Sequence, residues 1–238
     1  MTRVAVWTIA ALAVLVAPAA ARAQEWKEFA SRADRFTCNF PGTPTVSATT
    51  WTSEYGAELH GRVYSAASGP GRYSITAIDY GPVERILTEK SQACPAGAET
   101  CRGGSDTGAG YWKNDVRGAV VYAAWKLMRR PGVQTTHLHW NFMDMVAGQQ
   151  LQLVDPDGSR TFASVYFHDH RLIIMEGTVP AGYPEPGLFQ QSLGWLDETG
   201  RGIRYAWVYY GDPDLPTPPL SPRSFISDYG RIDATGVR

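Results

Sequence analysis

His137 and His139 are the sharpest chemical pair in the chain. They stand two apart in 133–145, a stretch that reads as a strand, so both imidazoles project from one face about 7 Å apart. Two imidazoles at that spacing can share a divalent metal. A third ligand such as Asp144 or Glu176 would have to converge on them. The plainer expectation is that His137, His139 and Asn141 form a solvated face opposite Leu138, Trp140 and Phe142, with His168 and His170 as exposed turn residues.

Other chemistry is fainter. Ser105 sits in Gly-Gly-Ser-Asp-Thr-Gly, which lacks the G-x-S-x-G form of a nucleophile elbow. The same glycines lack the Gly-Lys-Ser/Thr ending of a phosphate loop. Glu176 interrupts one apolar strand and Asp79 ends another, and a buried carboxylate normally finds a cation such as Arg160, Arg171 or Lys126. Eight tryptophans and twelve tyrosines leave several aromatics in connecting segments. Tyr111, Trp112 and Tyr183 could form a surface that stacks on sugars or grips a peptide; the alternative is that they cover the core rim.

Cys94 and Cys101 close an eight-residue loop that a disulfide can bridge, with about 2.5 kcal/mol expected from the loop-entropy model. Cys38 is left over in the strand-like Phe36-Thr-Cys-Asn-Phe40, where a small buried apolar role is expected.

The compartment follows from the first 23 residues. Arg3, the apolar run 4–16, Pro18 and the Ala21-Arg22-Ala23 cleavage site have the form of a secretory signal. A periplasmic or secreted chain is therefore expected, with a domain over 24–210 and a proline-rich, extended or disordered tail over 211–238. No later stretch is apolar enough to span a bilayer. The charge, 22 basic against 23 acidic side chains, offers no basic stripe for phosphates and excludes nucleic acid as the expected partner.

The elements that position these residues are mostly strands. Residues 36–40, 45–51, 59–67 and 72–80 are separated by glycine and proline turns every eight to twelve residues, as in an antiparallel meander. A second meander covers 151–154, 161–167 and 172–179, joined by Asp155-Pro-Asp-Gly158 and His168-Asp-His170, with its middle strand apolar on both faces. Residues 26–35 read as a short helix or an extended lead. Residues 83–92 read as a short helix, and Val116, Val120, Ala123, Ala124 and Leu127 mark the main helix over 115–130. A second main helix is expected over 187–197 and a last strand over 203–210. The expected fold class is α+β: one mostly antiparallel sheet with two main helices packed on it.

The motifs FTCNFPGTP (36–44), RYSITAIDY (72–80), DGSRTFASVYFHDHRLIIMEGTVP (157–180) and GLFQQSLGWLDETG (187–200) resemble a family of uncharacterised secreted Gram-negative bacterial proteins, over about residues 25–210. More remotely, the Phe-Pro-Gly-x-Pro opening and the closing strand pair resemble the PsbP-like fold. That likeness implies a binding or assembly module rather than an enzyme. The expected partner is an envelope protein or small ligand, and no cofactor is expected. A metal-binding protein or metal-dependent enzyme using His137 and His139 is the alternative.

Overall fold

Alternating side chains and two-residue turns build most of this molecule. The computed structural model describes residues 25–93 and 112–204 of the chain. Residues 1–24, the Cys94–Cys101 pair, Ser105, Tyr111, most of the expected 203–210 strand and the segment 211–238 lie outside the described residues.

Seven strands form one antiparallel sheet: β3 (Thr45–Thr52), β4 (Glu58–Ser68), β5 (Gly71–Asp79), β6 (Gln134–Met143), β7 (Val146–Val154), β8 (Arg160–His168) and β9 (Arg171–Val179). Their order is β3-β4-β5-β9-β8-β7-β6, so the two meanders join through β5 and β9, paired from Arg72–Thr178 to Asp79–Arg171. Two hairpins close without glycine. Asp144 and Met145 (φ 50° and 69°) and Asp169 and His170 (φ 46° and 56°) take the left-handed conformation that matches hairpin twist. At the third turn Gly158 (φ 80°) donates its N–H to the Asp155 carbonyl.

A smaller antiparallel sheet, in the order β1-β2-β10-β11, combines β1 (Trp26–Ser31) and β2 (Phe36–Pro41) with β10 (Gly194–Leu196) and β11 (Gly202–Ile203). The middle of the seven-stranded sheet is thus covered on both faces. On one face lie α1 (Val83–Gln92) and α2 (Trp112–Met128), packing Val83, Leu87, Val116, Val120, Ala123 and Leu127 against Leu59, Ile78, Leu151, Val165 and Ile174. On the other, Phe36, Cys38, Phe40, Phe189 and Trp195 pack against Tyr64, Tyr73, Ile75, Tyr166 and Met175. Strand β8 feeds both cores, which explains its apolar residues at successive positions.

The expected α+β, PsbP-like arrangement with main helices at 115–130 and 187–197 is therefore corrected: the described chain is mostly β, in two sheets. Only Gly187–Gln190 is helical in the second of those segments (α3). Ser192 stops it. Its hydroxyl donates to the Phe189 carbonyl (2.9 Å) and accepts the Asn39 N–H (2.9 Å), tying the segment to β2. Gly194 then permits β10 to approach closely, since a Cβ there would fall 2.6 Å from the Thr37 hydroxyl. The 26–35 segment settles as β1 and a turn rather than a helix.

Polar ties fix the layers. Buried Asp34, in the β1–β2 turn, receives Arg62 Nε (2.7 Å) and Nη2 (2.5 Å) and the Tyr64 hydroxyl (2.5 Å). Asp115 near the start of α2 is fully buried and accepts the Ser53 hydroxyl; burial pushes its carboxyl up to about 6.

Candidate functional site

The β6–β7 hairpin places the histidine pair. Because β6 alternates, His137, His139 and Asn141 project from one face and Leu138, Trp140 and Phe142 from the other. His137 Nδ1 lies 3.3 Å from the Thr136 hydroxyl, and His139 Nε2 donates to the Gln150 side-chain oxygen (3.1 Å). Both are exposed. Among the described residues no group of three or more His, Cys, Asp or Glu side chains is arranged to hold a metal. Neither Asp144 nor Glu176 completes the set.

Glu176 is committed elsewhere. Arg130, just past α2, clamps it with Nη1 at 2.5 Å and Nη2 at 2.8 Å. Asp79 pairs with Arg171 at 2.9 Å, one of the expected cations. His168 differs from expectation: it ends β8 buried, its ring 4.7 Å from that of Trp195. Burial, with Arg35 nearby adding positive charge, lowers it to about 4. His170 remains in the exposed turn.

Trp112 and Tyr183 are not brought together. Trp112 opens α2 and packs on the helix-side core, while Tyr183 follows β9 with its hydroxyl beside Gly69 at the β4–β5 turn. Tyr183 is exposed, and its carbonyl accepts from Arg160.

Cys38 is sealed. Its thiol sits 3.2 Å from the Ser192 hydroxyl, and burial pushes it up to about 12. Native protein is expected to resist iodoacetamide at pH 8 at this position, with full labelling in urea by peptide mass spectrometry. Labelling of Cys38 at equal rates in both conditions would contradict this environment.

Two surfaces escape the sequence reading. The first is the row Leu138, Trp140 and Phe142, exposed by 48%, 60% and 53% on a strand without a single charged side chain. Its alternation was legible, but not that these side chains stand exposed on the edge strand rather than in the core beneath α2. The second lies on the same face at the opposite corner, beyond Arg130, where the strands change from apolar to hydroxyl-bearing. Register lines up Thr45, Ser65, Ser74 and Glu176 across four strands, and Ala67, Arg72 and Thr178 in the next row. These residues floor an open trough of about 540 Å³. A recess of about 150 Å³, lined by Pro70, Asp157, Ser159 and Pro180, adjoins it and shares Arg72 and Thr178. The alternation in RYSITAIDY was the available signal, but only pairing shows which hydroxyls share a face.

No described helix is long and apolar enough to cross a membrane. No family model matches the chain, and no curated protein matches it.

Proposed function

We propose that this chain is a periplasmic or secreted, non-enzymatic binding or assembly module of the cell envelope. The observation that carries the reading is the exposed apolar row on β6. Three large apolar side chains, at the positions named above, point outward from a rigid ten-residue strand that carries no charge. Exposed apolar surface on a rigid sheet is the ordinary mark of an interaction site, and tryptophan is a common anchor in such sites. The export-type leader supplies the compartment, and the resemblance to secreted bacterial proteins is consistent with it. The partner class is an envelope protein with an apolar segment that covers the row.

The test is affinity capture from envelope extract with the mature protein and with a Leu138→Lys, Phe142→Lys double variant. Both positions are exposed, so the variant is expected to unfold within about 0.5 kcal/mol of the parent. A protein retained by the parent and lost from the variant is the expected result. Equal capture by both, or nothing above the bait-free background, would count against the proposal.

A further inference from the structure

We propose that the trough on the corner of the seven-stranded sheet that no described helix covers binds a small hydroxylated carboxylate, a sugar acid in size and chemistry, with Arg72 as the anion-binding group. Thr161 gives its hydroxyl proton to Asp155 Oδ2 (2.6 Å), so in the 2.8 Å contact between Thr161 and Thr178 it is Thr178 that donates. The Thr178 oxygen then offers the trough only lone pairs. Thr45 behaves alike: it donates to the Ser65 carbonyl (3.2 Å), and the Ser65 hydroxyl donates to Thr45 (3.0 Å). Both oxygens are left as acceptors. Glu176 adds acceptor capacity while Arg130 neutralises its charge.

The floor is therefore rich in acceptors and holds one uncommitted cation. Among the described residues Arg72 makes no ion pair or side-chain hydrogen bond. Asp157 lies within electrostatic range of Arg72, but its Oδ1 is taken by the Ser159 hydroxyl (2.6 Å) and N–H (2.9 Å). Ser74, two residues from Arg72 on the same face, keeps its hydroxyl proton available. A ligand that satisfies this surface has one carboxylate for the guanidinium fork and several hydroxyl donors for Thr45, Ser65, Thr178 and Glu176. A simple carboxylate leaves the acceptors unmatched, and a neutral sugar leaves the cation unmatched. The volume lies in the range of small-molecule sites.

The experiment is an NMR titration of the isotopically labelled mature protein with D-glucuronate, D-glucose and acetate in turn. Glucuronate is expected to move the Ser65, Ser74 and Thr178 amide signals saturably, with glucose and acetate at least about tenfold weaker. Arg72→Gln is expected to weaken glucuronate by at least about tenfold, and Thr178→Val by less, both with the parent urea midpoint. Four results would each overturn the proposal: no response at those signals to glucuronate, acetate binding as tightly, glucose binding as tightly, or an unaltered affinity in Arg72→Gln.

Discussion

Trp195→Ala is expected to destabilise the protein by about 4 kcal/mol, at the upper end of single-residue effects. Trp195 is among the largest fully buried side chains, and it holds the small sheet against the large one. Its ring centre lies 6.1 Å from that of Tyr166 and 4.7 Å from that of His168, and its indole N–H donates to the Met143 carbonyl (2.9 Å). Alanine leaves a cavity too broad for the three-residue β10 to close, and it strands a carbonyl at the β6–β7 hairpin. The check is urea unfolding followed by far-UV circular dichroism, where the midpoint should fall by about 2 M for an ordinary slope. A loss below about 1 kcal/mol would mean that the small sheet is not anchored there.

The second large effect is an opposition hidden in the pH profile. His168 is lowered to about 4, so its contribution is present above its ordinary value of 6.5 and is lost as pH falls through 4. Asp115 is raised from 3.8 to about 6, so its contribution is present below 3.8 and is lost as pH rises through 6. Each is worth about 3 kcal/mol at the usual conversion. Between about pH 4 and 6 they therefore oppose each other, and the parent should show little net slope from this pair. Asp115→Asn leaves His168 alone and should lose stability as pH falls from 6.5 to 4. His168→Gln leaves Asp115 alone and should gain stability over nearly the same interval. Urea midpoints at four pH values between 4 and 7 decide it. Slopes of the same sign in both variants would refute the assignment.

The strands of the large sheet were legible because each carries its own local signal. Residues 161–167 alternate and are bounded by Asp-Pro-Asp-Gly and His-Asp-His, and the strand forms there with both faces covered. The 187–197 segment misleads because Leu188, Leu193, Trp195 and Leu196 satisfy a helical spacing as well as an irregular one. The competing partner for that segment was β2, far away in sequence. Long-range pairing also hid the small sheet, since neither three-residue β10 nor two-residue β11 carries a period of its own. The candidate sites were half visible. The faces of β6 followed from alternation alone, whereas the trough needs the register of four strands and the stopping point of α2. For the same reason Glu176 found Arg130 instead of Arg160, Arg171 or Lys126.

The closure of β10 onto β2 sets an order of events in time. The Ser192 hydroxyl that meets Cys38 is 154 residues downstream of it, and the Arg171 that meets Asp79 is 92 residues downstream. As the chain emerges from its N-terminus, β1 and β2 can pair and Phe36 can meet Tyr64, but the cover over Phe36, Phe40 and Cys38 is completed only by Phe189 and Trp195. Ends that meet so late make for slow folding, because the loop entropy is lost before the contacts form. Until residue 196 is available, an aromatic face stays open to any holding chaperone or exposed strand it meets. A chain threaded across a membrane before folding would be kept pliant by this same delay.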